Sequence, residues 1–105
     1  ARDVEHFVVI YVNNQNKVIT TEVVASGTIN SSAVYPRQIT IKVLEKEAAN
    51  IILAHNHPSG ETIPSNSDRA VTKKLQTGLA ALDIEILDHI IIGEGHYSFA
   101  DAGLL

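Results

Sequence analysis

The stretch Ile51-Ile52-Leu53-Ala54-His55-Asn56-His57-Pro58 sets the architecture of this chain. Its first four residues form a short, continuous apolar run, the pattern of a strand covered on both faces. Pro58 ends the run. Residues 58–64 (Pro58-Ser59-Gly60-Glu61-Thr62-Ile63-Pro64) contain two prolines and a glycine and read as a loop. A helix is expected from near Ser65, because Val71, Leu75, Leu79 and Leu82 recur at spacings of 4, 4 and 3 along one face. A covered strand feeding a helix is the repeating unit of a layered α/β domain.

Working outward, Phe7-Val8-Val9-Ile10-Tyr11-Val12 is β-branched and almost wholly apolar, a second buried strand. Asn13-Asn14-Gln15-Asn16 is a turn cluster, and Lys17 to Ala25 resumes as the partner strand of a hairpin. Gly27 interrupts it, and a short polar stretch runs to Ala33. Pro36 suits the first position of a helix. Ile39, Ile41 and Val43 alternate like a strand, whereas Ile39, Val43, Leu44 and Ala48 form a helical stripe. Length, Pro36 and the closing Lys46-Glu47-Ala48-Ala49 favour the helix. Downstream, Ile84 to Ile92 returns as a strand, Gly93-Glu94-Gly95 turns, and His96 to Phe99 forms a last short strand. The expected class is α/β, a mixed sheet flanked by helices.

The chain has 105 residues, enough for one domain with a single core, taken as residues 1–105. With three Tyr, two Phe and no Trp, that core must be aliphatic. Apolar runs stay far short of the ~20 residues that span a bilayer, and no charged-then-apolar leader opens the chain. A soluble, cytoplasmic protein without membrane contact is expected. The first residues are Ala1-Arg2-Asp3 rather than Met, which suits a C-terminal fragment of a longer polypeptide. The absence of Cys removes disulfides, thiolate nucleophiles and cysteine metal sites, so a bound metal would need His and carboxylate ligands. Net charge is −4, and Lys and Arg are scattered, which disfavours direct nucleic-acid binding by this domain.

His55 and His57 are two apart on a strand, so their side chains share a face. They follow a covered strand and precede Pro58, which places them at its exposed end, where α/β sheets carry their sites. Asp68 falls in the first turn of the next helix. Two imidazoles and one carboxylate make the three-ligand set of a catalytic zinc site with one open position. Sites for harder ions want six or more oxygens. The spacing also admits other roles. A His-x-His pair commonly marks two satisfied or surface histidines, and Ser65 with an acid three residues later resembles a capping box. Capping and ligation can coexist in one turn.

Taken together, His55-Asn56-His57-Pro58 and Ser65-x-x-Asp68 resemble the JAMM (MPN+) metalloprotease motif. A closer similarity is to the C-terminal domain of the bacterial RadC family. It is carried by His55-Asn56-His57-Pro58-Ser59-Gly60, Pro64-Ser65-x-x-Asp68, Gly27-Thr28, Val34-x-Pro36-Arg37, Asp88-His89-Ile90-Ile91 and Ser98-Phe99. The similarity covers essentially the whole chain. Gln38 departs from the Glu that the family usually carries after Pro-Arg, a position outside the metal motif. The resemblance implies a cytidine-deaminase-like JAMM/MPN fold and one zinc ion held by His55, His57 and Asp68. It also implies Glu5 as general base toward the attacking water, and Ser65 as a stabiliser of the oxyanion. The reaction implied is hydrolysis of a peptide or isopeptide bond in an unidentified peptide or protein. Oligomeric state is left open.

Other functions remain on the table at this level. One is a DNA-repair or recombination accessory, and another is a metal-stabilised interaction module without turnover. A nucleobase deaminase shares the implied fold but uses Cys ligands and His-x-Glu. The string His55-Asn56-His57 is not an HNH nuclease motif, whose letters name separated residues. Of the other polar residues, His89 reads as a buried, hydrogen-bonded histidine with a possible role behind the ligands. Asn56 reads as a brace for the turn, Arg37 as a structural residue or a surface ion-pair partner, and His96 as a surface turn residue.

Overall fold

The computed structural model of the protein describes residues 4–105. Its elements are β1 (His6–Val12), β2 (Val18–Ser26), α1 (Pro36–Glu45), β3 (Asn50–Asn56), α2 (Asn66–Ala80), β4 (Ile86–Gly93) and β5 (Gly95–Ser98). The strands form one sheet in the order β2-β1-β3-β4-β5. Neighbours are antiparallel except β3 and β4, which α2 joins as a parallel crossover. The architecture is α/β with a mixed sheet, as the alternation of elements predicts, and it is consistent with the JAMM/MPN arrangement.

The hairpin, the start of α1 at Pro36 and the apolar run of β3 all form where the residue patterns place them. Helical spacing prevails in α1: Ile39 and Val43 are buried, while Ile41 is exposed. The expected end of α1 is different. The helix stops at Glu45, and Glu47 takes a left-handed φ of 53°, so Lys46 to Ala49 turn the chain into β3. Leu44 and Leu82, counted in the two helical stripes, are exposed. Leu82 lies past Ala80, where α2 ends.

Phe7, Val9 and Tyr11 of β1 and Ile51 and Leu53 of β3 share one cluster with Ile39 and Val43 of α1 and Val71, Leu75 and Leu79 of α2. Both helices therefore cover the same face of the sheet. This corrects the expectation for β3. Its inward residues Ile51, Leu53 and His55 are buried, but Ile52 and Ala54 on the opposite face are only half-buried. Each is flanked by residues of the neighbouring strands, Ile10 and Val8 on β1 and Ile90 beside Ala54 on β4. Among the described residues, no helix is long and apolar enough to cross a membrane.

The two helices come into tight contact where Gly78 faces Pro36. A Cβ at Gly78 would sit 2.5 Å from Pro36 Cβ and 2.6 Å from Cγ. Gly78→Ala gains about 1 kcal/mol of helix propensity. Overpacking against a ring fixed at the first position of α1 costs about 1–3 kcal/mol, so the clash wins. The variant should melt several degrees below the wild type in thermal denaturation, and an unchanged or raised Tm would show that α1 yields at this contact.

Candidate metal centre

His55 lies on the inward face of β3, opposite Phe7 on β1 and Ile91 on β4. It is 2% exposed, so it does not sit at an open strand end as the sequence suggests. The Phe7 ring stacks on it at a centroid distance of 5.8 Å, and the first turn of α2 closes over it through Asp68. His57 comes one residue after β3 and points to the same side. Its backbone N–H donates to Ile92 O at 2.8 Å, and its Nδ1 lies 2.7 Å from Glu61 O. The loop that carries Glu61 is pinned to the β4–β5 turn. Glu94 N–H donates to Gly60 O, and a Cβ on Gly93 would lie only 2.4 Å from that oxygen. Glycine at position 93 is thus a condition for the loop's approach.

Asp68 is buried and does two jobs at once. Its Oδ2 accepts the Ser65 N–H at 2.7 Å, while Ser65 Oγ accepts the Asp68 N–H at 3.1 Å, completing a capping box at the start of α2. Its Oδ1 lies 3.0 Å from His55 Nε2, and its Oδ2 lies 3.1 Å from His57 Nε2. The choice between capping and clustering left open by the spacing does not arise. Glu5 stands just ahead of β1 with its side chain 30% exposed and Oε1 at 3.7 Å from His55 Nε2. Ser65 lies on the rim of the adjoining cleft. The structure thus brings Glu5, His55, His57, Asp68 and Ser65 into one place.

The ligand atoms of Glu5, His55, His57 and Asp68 all lie within 4.8 Å of one another. A backbone carbonyl can only accept, so a neutral His57 must donate Nδ1–H to Glu61 O and turn its Nε2 lone pair inward. His55 Nε2 is 3.0 Å from that atom. A set made of imidazole lone pairs and carboxylate oxygens at such distances is suited to a cation. Bonds of about 2.0–2.1 Å at tetrahedral angles place neighbouring zinc ligands roughly 3.3 Å apart. The contacts among His55, His57 and Asp68, 3.0–3.1 Å, are close to that spacing. The cluster can hold a metal ion, and its nitrogen and oxygen donors fit zinc.

A family profile for the RadC-like JAB domain matches residues 1–104. The chain belongs to this family. It is 48% identical over 103 residues to a UPF0758 protein of Vibrio atlanticus, covering 97% of this chain and 46% of that one. To the UPF0758 protein YeeS of Escherichia coli it is 47% identical over 102 residues, 96% of this chain and 69% of the relative. A UPF0758 protein of Rubrobacter xylanophilus is 44% identical over 103 residues, 98% of this chain and 45% of that one. The chain spans about half the length of the first and third of these relatives.

Two further residues of this RadC-like JAB domain bear on the site. His89 of β4 is fully buried between Phe7 and Phe99, with its Nε2 at 2.8 Å from His55 Nδ1. Burial first, and the neighbouring His55 next, push the His89 imidazole down to about 3, against an opposing pull from Asp68 and Asp88, so it is neutral near pH 7. Its Nδ1 is 2.6 Å from Thr72 Oγ1 on α2, a residue the sequence reading did not single out. Thr72 follows Asp68 by one helical turn, and that spacing is the only signal the sequence held. Burial acts to raise the Asp68 carboxyl, but contact with His55 and the Ser65 N–H outweigh it and hold the group well below the usual carboxylate range.

Asn56, expected as a brace for the turn, grips the backbone on both sides of Glu5 instead. Its Oδ1 accepts the His6 N–H at 2.6 Å, and its Nδ2 donates to Val4 O at 3.0 Å. The Glu5 carbonyl is held in turn by the Gly27 N–H at 2.9 Å. Each Asn56 bond contributes about 1 kcal/mol. In Asn56→Ala, hydrogen exchange at the His6 amide should speed up by about tenfold. Unchanged protection there would mean that the Glu5 segment is held by other contacts.

The cluster opens on a cleft of about 390 Å³ lined by Glu5, Thr28, Ile29, His57, Pro58 and the serines 59, 65 and 67, with Asp68 at its base. Buried Asp68 and His55 form the closed side, and Glu5 stands on the open one.

Proposed function

We propose that this domain is a zinc-dependent hydrolase of amide bonds, acting on a peptide or isopeptide link in a peptide or protein substrate. The observation that carries the proposal is the placement of Glu5. Three donors, His55, His57 and Asp68, suffice to hold the ion from its buried side, as catalytic zinc sites do. Glu5 is a fourth group, more exposed than these, and it lines the cleft together with His57 and Asp68. A bound zinc ion supplies Lewis acidity, polarising a carbonyl and lowering the pKa of water.

The chain's own residues supply the rest. Glu5 takes the proton of the attacking water and returns it to the leaving amine. Ser65 uses its hydroxyl oxygen to accept the Asp68 N–H, and its proton is directed to the oxyanion that forms at the scissile carbonyl. Thr28, Ser59 and Ser67 add hydroxyls to the cleft that can meet the N–H and C=O groups of a polypeptide backbone, beside apolar contact from Ile29 and Pro58.

Elemental analysis and a cleavage assay test the proposal together. Purified protein should carry about one zinc per chain. A quenched-fluorescence peptide library, supplemented with an ε-amide-linked lysine substrate, should be cleaved, and a chelator should stop cleavage until zinc is returned. Stoichiometric zinc with no cleavage would leave a metal-stabilised interaction module instead.

A further inference from the structure

His55 offers two nitrogens, and only Nε2 faces the cluster. Which of them carries the proton determines whether the ring can act as a ligand at all, and the surroundings of His55 determine that. At the far end of the chain of contacts, Thr72 Oγ1 lies 3.1 Å from the backbone carbonyl of Asp68, one turn earlier on α2. A carbonyl cannot donate, so the Thr72 hydroxyl gives its proton there and keeps lone pairs for His89. His89 Nδ1, 2.6 Å away, is then the N–H donor to Thr72. A neutral His89 with its proton on Nδ1 presents a lone pair at Nε2. His55 Nδ1, 2.8 Å from that lone pair, must carry the hydrogen. In a neutral His55 ring this leaves Nε2 without a proton.

We infer that His89, backed by Thr72, is a positioning residue that locks His55 into the Nδ1–H form with its Nε2 lone pair aimed at the metal site. The inference rests on the metal site proposed above and adds to it the group that prepares one ligand. Metal-bound histidines commonly donate their second N–H to a carboxylate, a carbonyl or water. Here the acceptor is another histidine, and the relay ends on the backbone of Asp68, itself a member of the cluster. His55, Asp68 and His89 are therefore tied in one loop, and an ion held by His55 and Asp68 would lie to one side of it. His89 has little freedom to turn away, because Phe99 stacks on it at 4.5 Å with an interplanar angle of 19° and Phe7 meets it edge-on at 5.7 Å. His57 is locked in the same sense by a simpler device, the Glu61 carbonyl.

The test uses metal-free and zinc-loaded protein and needs no substrate. Long-range proton–nitrogen NMR of the imidazoles in the metal-free wild type should show His55 and His89 both protonated on Nδ1. In His89→Phe, which keeps an aromatic ring but no acceptor, His55 should populate the Nε2–H form, and zinc affinity measured against a competing chelator should fall by about 10–100-fold. His89→Gln, which retains an acceptor and a donor, should recover part of that loss. Thr72→Val is isosteric and carries the same test if His89→Phe does not fold, with the tautomer of His89 itself expected to shift. A wild-type spectrum with the proton on His55 Nε2, or zinc affinities within about twofold across the set, would overturn the assignment. Zinc bound with the expected tautomers but no amide cleavage would count against the hydrolase and leave His89 in its role.

Discussion

Asp68→Asn is expected to empty the metal site while leaving α2 capped. The substitution keeps the shape and an oxygen able to accept the Ser65 N–H now bonded to Oδ2. It removes the charge and the best ligand oxygen, which lies 3.0 Å from His55 Nε2. In four-ligand structural sites zinc binding is worth about 10–16 kcal/mol, roughly 3 kcal/mol per ligand, so losing one of the three ligands here should lower affinity by about 100-fold or more. Asp68→Ala should lose the metal equally and in addition about 1 kcal/mol of helix capping. Comparing the two by chelator competition, and by thermal denaturation in excess chelator, separates the two roles of one carboxylate. Retention of zinc by the Asp68→Asn protein at wild-type affinity would remove Asp68 from the ligand set and leave it a capping residue.

That double role explains why the sequence alone could not resolve Asp68. Ser65-x-x-Asp68 has the spacing of a capping box and also the spacing of a ligand in a helix's first turn, and in the structure the carboxylate that caps through Oδ2 also lies against both histidines, Oδ1 on His55 and Oδ2 on His57. The pairing of His55 with His57 was legible, because strand periodicity alone puts them on one side. The depth of His55 was not. An apolar run shows that a strand is covered, but not that a helix N-terminus folds back over its last residues.

The burial and hydrogen bonding of His89 were legible from the apolar stretch it closes, but the face of the sheet it takes was not. Ile86 and His89 both point inward, an odd spacing that an unbroken strand forbids. A register shift against β3, between Ile51 and Ile52, makes it possible. Without that irregularity the face of Ile86 would carry Asp88 and Ile90, and His89 would point away from the helices. Alternation of residue types cannot announce a bulge. The roles of the Glu61 and Asp68 carbonyls have no letter in the sequence at all, since any residue supplies the same backbone oxygen.

Glu5→Gln should abolish amide cleavage and leave zinc in place. The side chain is the one member of the cluster with substantial exposure, and its nearest contact to a ligand nitrogen, 3.7 Å, is longer than the 3.0–3.1 Å among the other three residues. Glutamine fills the same volume but cannot take a proton from water. General-base catalysis contributes about 10²–10⁴-fold, so turnover of any substrate the wild type cleaves should fall by that factor, or about 3–5 kcal/mol of barrier. Zinc affinity should stay within about tenfold, because three ligands remain. Loss of metal together with activity would make Glu5 a fourth ligand and the site a closed, structural one. Cleavage persisting at near wild-type rate would hand the proton transfer to another group, and no other carboxylate of the described residues belongs to the cluster except Asp68, whose oxygens are already engaged with Ser65, His55 and His57. The backbone clamp of Asn56 on either side of Glu5 is consistent with a group held for one geometry rather than a charge left free on the surface.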